Sequence, residues 1–293
     1  MIYLDNTTKP WKEKFNLPEL KTIRDKIQDS FKDLIFEEGP HQYYWHGKNI
    51  PSVSRTIDKF VEPFPTDKKA QECYEKYYND PTSKYYQMTA KEIKKQWKWK
   101  NDNANNQGTL AHAFGENAMH YMVGDYDAIS DDFKDRLVDG KFVAKTGFEE
   151  AVVKFFNDVP DEYVPMLVEN RVYAYCGKDE PVYAGTFDLL MYCTIPGKEG
   201  LIIMDYKTNE DLYKNFNGKT LLSPLTEFLD SPFEHYRIQQ FLYCRAMREI
   251  NIHIKAKRLI WLKQNGEYVN TKLGGYNDKT EEKIIKKIIE SCI

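Results

Sequence analysis

The spacing of hydrophobic residues changes part-way along the chain. Over residues 108–124 the apolar positions recur every three or four residues, which predicts a helix, and a second helical pattern lies around residues 146–158. Beyond this point the apolar residues form short continuous runs that are separated by glycine-containing turns. These runs predict three strands in succession, at residues 169–176, 182–193 and 200–208.

The last part of the chain contains further helical and strand patterns. Ser231, Pro232 and Glu234 form a capping box with proline at the first helical position, so a helix is expected to begin there. Residues 256–263 predict another strand, and residues 279–292 predict a closing amphipathic helix. The order of helix, three strands, helix and strand predicts an α/β (α+β) core on a mixed central sheet flanked by helices.

The first hundred residues are rich in aromatic and charged side chains and irregular in pattern. Residues 40–57 predict a hairpin whose turn is formed by His46, Gly47 and Lys48. Helical patterns follow at residues 66–80 and 89–104.

Composition limits the kinds of protein that this chain can be. With 293 residues, of which 41% are hydrophobic and 14% aromatic, it can bury a sizeable core. We predict an N-terminal extension over residues 1–104 and a core domain over residues 105–293, packed as one globular unit. The formal net charge of −3 does not indicate a surface coated with basic residues, so an anionic partner would have to meet a local basic patch.

The cysteines and the hydropathy of the chain restrict its class further. The five cysteines are scattered and include no C-x-x-C pair, which argues against a disulfide framework, a zinc ribbon or an iron–sulfur cluster. This usage fits a reducing cytoplasm. The sequence has no signal peptide and no apolar run long enough to span a bilayer, so no contact with a membrane is expected.

An aspartate ends the apolar run of the third predicted strand, and a lysine follows two positions later. Side chains two residues apart share one face of a strand, so Lys207 can reach Asp205. If this strand pairs with the preceding one, Asp188 approaches Asp205, and the two carboxylates repel unless a cation lies between them. Such oxygen ligands suit Mg²⁺ or Mn²⁺ and predict metal-assisted hydrolysis of a phosphodiester. The alternative is a surface strand end with a weak ion pair.

Four short motifs follow one another in the order GTLAH (108–112), GTFD (185–188), DYKT (205–208) and QQFLY (239–243). With them, residues 40–263 resemble the RecB-like exonuclease branch of the PD-(D/E)XK nuclease superfamily, including its phage-type and mitochondrial genome maintenance members. The resemblance implies a restriction-endonuclease-like core, a Mg²⁺- or Mn²⁺-dependent deoxyribonuclease, and the cytoplasm of a bacterium or a phage-infected host cell. Iron–sulfur members of the branch carry a cysteine cluster that is missing here, so no such cluster is expected.

The resemblance also implies a role for each matching residue. Lys207, Asp188 and Asp205 would be catalytic. The metal ligands would be the imidazole of His112, the two aspartates and the backbone carbonyl of Tyr206.

Several neighbouring polar residues have two interpretations or are weaker candidates for the active site. Glu116, one turn after His112, would orient a water or bind a second metal, or else belong to a solvated helix face. Gln239 and Tyr243 would contact the DNA backbone or brace the catalytic lysine; the alternative is ordinary packing against the sheet. His120 is interpreted as structural, and Glu169 as a plain strand-end acid with a weaker claim to the site.

Residues 94–100 interleave four lysines with two tryptophans. Trp97, Lys98 and Trp99 are candidate DNA contacts, because bases stack on aromatic rings while lysines neutralise phosphates. The alternative is an amphipathic helix whose tryptophans face a core.

Three functions are consistent with these observations. The leading hypothesis is a metal-dependent DNA exonuclease, acting on single strands or duplex ends in recombination, repair or degradation of phage or bacterial DNA. The same core would also serve an endonuclease of the nicking or restriction type. The third is a catalytically silent DNA-binding module. A homo-oligomer or a recombination partner protein is compatible with each.

Overall fold

The computed structural model describes residues 2–215 and 217–292, and none of the helices in these ranges is long and apolar enough to cross a membrane. The α-helices are α1 Trp11–Phe15, α2 Pro18–Phe31, α3 Val53–Asp58, α4 Thr66–Tyr77, α5 Ala90–Val123, α6 Gly147–Asp158, α7 Pro232–Glu249 and α8 Asp278–Cys292. The strands are β1 Tyr3–Leu4, β2 Leu34–Glu37, β3 Gln42–Trp45, β4 Lys48–Ile50, β5 Leu137–Val138, β6 Lys141–Val143, β7 Tyr163–Ala174, β8 Tyr183–Cys193, β9 Gly200–Lys207, β10 Ile254–Leu262 and β11 Tyr268–Leu273. Short 3₁₀ helices cover Tyr126–Ala128 and Asp131–Arg136.

The longest strands form a five-stranded sheet in the order β11-β10-β9-β8-β7. β9 and β10 run parallel and the other neighbouring pairs run antiparallel, so the predicted α/β fold on a mixed sheet is confirmed. The connection through α7 supplies the crossover that a parallel pair requires. β9 lies in the middle of the sheet and is buried along nearly its whole length, which explains its continuous apolar run.

The antiparallel register of β8 and β9 positions the two predicted aspartates. Leu189 pairs with Met204, and the next residues beyond this pair are Asp188 and Asp205. Both aspartates are buried although they lie next to each other on adjacent strands. Their desolvation therefore has to be offset by neighbouring groups.

Local signals located most of the helices and turns. Ser231 caps α7, its hydroxyl accepting a hydrogen bond from the Glu234 N–H at 3.4 Å. β3 and β4 form the predicted hairpin, and its turn residues His46 and Gly47 have φ angles of 45° and 78°. The helical patterns at 89–104 and 108–124 belong to one continuous helix, α5.

The elements that were not predicted include α1, α2, β2 and β11. In α2 the buried residues Leu20, Ile27 and Phe31 do recur at helical spacing, so a signal was present. β11 is exposed at Val269, Asn270 and Lys272. It is ordered by pairing with β10, which a single strand's sequence does not reveal.

The chain divides into two compact units that differ from the predicted domains. One unit comprises residues 1–61 and 111–293, and the other comprises residues 62–110. The predicted boundary at residues 104/105 falls inside α5, and the division into an extension and a core stays a prediction. The N-terminal hairpin belongs to the larger unit because it packs on the central sheet, where the hydroxyls of Tyr43 and Thr186 lie 2.9 Å apart.

Two glycines allow helices to approach the central sheet closely. A Cβ on Gly115 of α5 would lie 2.6 Å from the ring of Tyr206 on β9. On β8, a Cβ on Gly185 would lie 2.6 Å from the ring of Tyr243 on α7. Both tyrosine rings are buried, so neither has room to move aside.

We expect Gly115→Ala to destabilise the protein. Alanine raises helix propensity by about 1 kcal/mol, but forcing a methyl group against the buried Tyr206 ring costs roughly 1–3 kcal/mol. The free energy of unfolding, measured with urea, should therefore fall by up to about 2 kcal/mol. Gly39→Ala is the matched control, because a Cβ at that position meets nothing within 4 Å. Equal stability of the two variants would contradict the packing described here.

Candidate active site

Side chains from three elements meet where the β8–β9 pairing ends. They are His112 of α5, Glu169 of β7 and Asp188 of β8. In the part of the chain that the structure describes, one ligand atom from each lies within 4.8 Å of the others. We call these three residues the ligand cluster. The sequence predicted two of its members, whereas Glu169 was assigned only a weak claim.

His112 and Asp188 form the most direct contact of the ligand cluster. The His112 Nδ1 lies 3.1 Å from the Asp188 Oδ2, which also accepts a hydrogen bond from the Tyr206 N–H at 2.5 Å. Burial alone would lower the pKa of His112, but the charge of Asp188 and the hydrogen bond to it raise that pKa above its ordinary value. Burial would likewise raise the pKa of Asp188, and the same contact with His112 holds it below its ordinary value.

Asp205 and Lys207 form a buried ion pair next to the ligand cluster. Their side chains are 2% and 12% exposed, and the Lys207 Nζ contacts the Asp205 Oδ2. Burial would lower the pKa of Lys207, but the charges of Asp205 and Asp188 outweigh burial and raise it. Burial and the charge of Asp188 together raise the pKa of Asp205 to about 6. The lysine therefore carries its proton at neutral pH.

Glu169 occupies an unusual backbone conformation in the interior of β7. Its φ angle is 45°, in the left-handed region that non-glycine residues seldom adopt. It lies between Val168, which pairs with Leu189, and Asn170, which pairs with Phe187, so it faces the position of Asp188. Backbone strain of this kind tends to occur at functional sites, where the surrounding structure over-determines it. Burial, followed by the charge of Asp188, raises the pKa of Glu169 to about 9.

The ligand cluster fits a divalent cation. Ligand atoms on opposite sides of Mg²⁺ lie about 4.2 Å apart, since each bond measures about 2.0–2.1 Å, so the 4.8 Å span needs only a small adjustment. The two carboxylates suit Mg²⁺ or Mn²⁺. Burial and the charge of Asp188 both disfavour the ionised form of Glu169, and a bound cation would favour it.

Two predicted metal ligands lie outside the ligand cluster. Asp205 is not a member, although its charge acts on His112 and it adjoins Asp188 in the sheet. Glu116 is also not a member; it is half-buried, and burial raises its pKa. The role of the Tyr206 carbonyl stays a prediction, while the Tyr206 N–H already serves the site by donating to Asp188.

Gln239 and Tyr243 contact each other on α7. The Gln239 Nε2 donates a hydrogen bond to the Tyr243 hydroxyl at 3.0 Å. Tyr243 is 3% exposed and its ring packs on Gly185, so its position favours packing against the sheet over a direct contact with DNA. Gln239 is only half-buried, and its predicted contact with DNA stays a prediction.

The tryptophan–lysine segment belongs to the smaller unit. The Trp97 Nε1 donates a hydrogen bond to the Tyr85 hydroxyl at 2.8 Å, and its ring also meets Phe64, so it packs within that unit. Trp99 is 67% exposed, and Lys98 forms a surface pair with Asp102. Of the two predicted stacking residues, Trp99 is therefore the accessible one.

His120, which the sequence indicated as structural, pairs with a neighbouring acid. Its Nδ1 lies 3.3 Å from the Asp125 Oδ2, just beyond the end of α5. This partner keeps the imidazole engaged outside the ligand cluster.

Comparisons with known proteins add little to this geometry. No protein-family model and no curated protein matches the chain. Among solved structures, the crystal structure of SSO0001 is similar over 94% of this chain and 85% of its own, with 11% sequence identity and a TM-score of 0.31. A similarity of this size carries no argument about fold family or function.

We expect Mn²⁺ to stabilise the protein through the ligand cluster. A ligand that binds only the folded state at about 100 times its Kd adds about 2.7 kcal/mol, so the melting temperature should rise when Mn²⁺ replaces EDTA. Asp188→Asn removes a ligand oxygen and should abolish most of this rise. Asp131→Asn, an exposed acid paired with Lys134, should retain it. An equal rise in both variants would place the cation elsewhere.

We expect Glu169→Gln to stabilise the metal-free protein with increasing effect as pH rises. Because the folded-state pKa of about 9 exceeds the ordinary value of 4.5, the folded protein holds a proton that the unfolded chain releases. The contribution of Glu169 to stability is therefore lost progressively between about pH 4.5 and about pH 9. Glutamine cannot ionise and removes this loss.

Urea unfolding in EDTA at several pH values across this window measures the effect. Glu267→Gln, at an exposed acid paired with Lys154, is the control and should follow the wild-type profile. Parallel profiles for wild type and Glu169→Gln would show that Glu169 ionises normally.

Proposed function

We propose that this chain is a Mg²⁺- or Mn²⁺-dependent deoxyribonuclease of the RecB-like PD-(D/E)XK branch, acting as an exonuclease on single strands or duplex ends. The observation that carries the proposal is the position of the ligand cluster beside the buried Asp205–Lys207 pair. Phosphodiester hydrolysis needs a site for a divalent cation and a fixed positive group that offsets charge developing on the phosphate. These two requirements correspond to the two groups of side chains.

The arrangement of elements supports the same family. β8 carries Asp188 and β9 carries the Asp205–Lys207 pair, at adjoining positions of a mixed sheet. α5 supplies the histidine and α7 the Gln239–Tyr243 pair, as expected for the four motifs. Each motif is therefore on the element that the family resemblance implies.

The residues of the site would have separate roles in catalysis. A bound divalent cation would polarise the phosphate and lower the pKa of a water molecule. His112, Glu169 and Asp188 would hold that cation. Lys207 acts as a positive charge and not as a general base, because its raised pKa keeps it protonated. Asp205 fixes the position of this ammonium group through their ion pair.

We expect Asp205→Asn and Lys207→Met each to lower the rate of DNA cleavage by at least about 100-fold, as removal of a charge-stabilising group does in other enzymes. The measurement uses end-labelled single- and double-stranded DNA with Mg²⁺, Mn²⁺ or EDTA. Lys134→Ala, at an exposed lysine paired with Asp131, should cut at the wild-type rate.

Circular dichroism and melting temperature verify that each variant is folded, since both substitutions break a buried ion pair. Wild-type rates in a folded Lys207→Met protein would refute the proposed role of the lysine. Cleavage of a closed circular single strand would identify an endonuclease. DNA binding without any product in Mg²⁺ or Mn²⁺ would identify a silent binding module.

A further inference from the structure

A group of three aromatic side chains, one of them exposed, lies beside the Asp205–Lys207 pair. Tyr213, in the segment after β9, is 55% exposed. Its ring centre lies 5.0 Å from that of Phe233, at an interplanar angle of 35°, and 6.3 Å from that of Trp261. We call Tyr213, Phe233 and Trp261 the aromatic platform. The function described above uses none of its members.

A buried leucine and two hydrogen bonds fix the backbone that carries the aromatic platform. Leu212, next to Tyr213, is fully buried against Leu259 and Leu273. The Leu212 carbonyl accepts a hydrogen bond from the Phe233 N–H at 2.8 Å. The Tyr213 N–H donates to the Asp211 Oδ1, also at 2.8 Å. Tyr213 is therefore exposed on a fixed backbone, which limits the entropy lost when a ligand binds to it.

A continuous series of contacts joins the aromatic platform to the catalytic lysine. Trp261 of β10 pairs with Lys207 of β9 in the parallel register, so their side chains lie on adjacent strands. The Trp261 Nε1 donates to the Asn209 carbonyl at 2.7 Å, and the Asn209 Oδ1 accepts from the Tyr236 hydroxyl at 2.7 Å. The Lys207 Nζ lies 4.4 Å from the centre of the Tyr236 ring.

Positive charge lies next to the aromatic platform as well. The Lys263 Nζ lies 2.7 Å from the centre of the Trp261 ring, so the lysine covers one face of that ring. Lys207 lies on the side of the active site. Trp261 thus contacts Lys263, is the register partner of Lys207 and lies against the exposed Tyr213 ring. An exposed ring with ammonium groups nearby matches a nucleotide, whose base is a flat π system and whose phosphates are anionic.

We propose that the aromatic platform binds an unpaired nucleobase of the strand being hydrolysed, with Tyr213 as the stacking surface. The inference rests on the proposed function and specifies its substrate as single-stranded DNA. A paired base is already stacked on its neighbours and is not available to Tyr213, whereas a base in a single strand is. Lys263 would lie near the phosphate that joins the nucleotide carrying this base to the next nucleotide.

The test measures binding separately from cleavage. The full chain is titrated in EDTA against a fluorescein-labelled oligothymidylate of about 12 nucleotides, within the range of single-strand site sizes. Tyr213→Ala should lower the affinity by roughly 5- to 100-fold, the effect of losing one base–aromatic stack. Tyr213→Phe keeps the ring and should bind as wild type does. Binding of a blunt duplex should be the same in all three proteins.

Tyr126→Ala is the control, because Tyr126 is another exposed tyrosine, located beyond the C-terminal end of α5. It should bind the oligothymidylate as wild type does. Wild-type affinity in Tyr213→Ala would overturn the proposal, and so would an equal loss in Tyr213→Phe. A Tyr213→Ala protein that binds normally but loses a concentration-dependent dimer in sedimentation would identify the surface as a contact between copies, which also overturns it.

The outcome does not depend on whether the chain cuts DNA. Tyr213-dependent binding of the oligothymidylate without cleavage in Mg²⁺ or Mn²⁺ would support the aromatic platform and refute the nuclease. Cleavage by wild type, together with unchanged binding in Tyr213→Ala, would refute the aromatic platform alone.

Discussion

The placement of three carboxylates in a largely buried space constrains the rest of this structure. Glu169, Asp188 and Asp205 come from three neighbouring strands, and removing their charges from water carries a large free-energy cost. His112 and Lys207 offset part of that cost by direct contact. The part of the cost that is not offset raises the pKa of Glu169, so this carboxyl group keeps its proton to a higher pH. A cation bound by the ligand cluster, as proposed above, would offset this remaining cost.

Close packing between helices and the sheet is what brings the charges together. His112 is on a helix, and its ring reaches Asp188 only because α5 approaches β9 at Gly115. On β7 the left-handed backbone at Glu169 sets that side chain apart from the regular alternation of the strand. Two local departures from regular structure, a missing Cβ and a strained φ angle, thus serve one site. Both carry a cost in stability that the large buried core offsets.

The sequence predicted the parts of the site that depend on local pattern. Asp188, Asp205 and Lys207 could be placed because each follows or interrupts an apolar strand, and His112 because its motif precedes theirs in a family resemblance. Glu169 was undervalued because the strand was expected to begin there, whereas β7 begins at Tyr163. The position of Glu169 in the ligand cluster depends on the strand register and on a backbone angle, neither of which can be predicted from the local sequence.

The same limit applies to tertiary contacts elsewhere in the chain. Tyr213 and Trp261 are far apart in sequence and meet only because β9 and β10 pair in parallel. Packing of Trp97, by contrast, was one of the two interpretations drawn from the sequence, because an amphipathic helix can turn its tryptophans toward a core. The hairpin likewise looked separate in sequence, but its Tyr43 contacts Thr186 on the central sheet.

The parallel pairing of β9 and β10 has a consequence for how such a protein can diversify. Strands that run in the same direction deliver their C-terminal ends to one rim of the sheet, so the segment leaving β9 and the turn leaving β10 are neighbours there. Insertions, deletions or exchanges of side chains in these two segments would reshape the approach to Lys207 while leaving the buried strands untouched. In the proposed nuclease, substrate selectivity and catalysis would thus depend on separate stretches of the chain, and one stretch could change while the other is conserved.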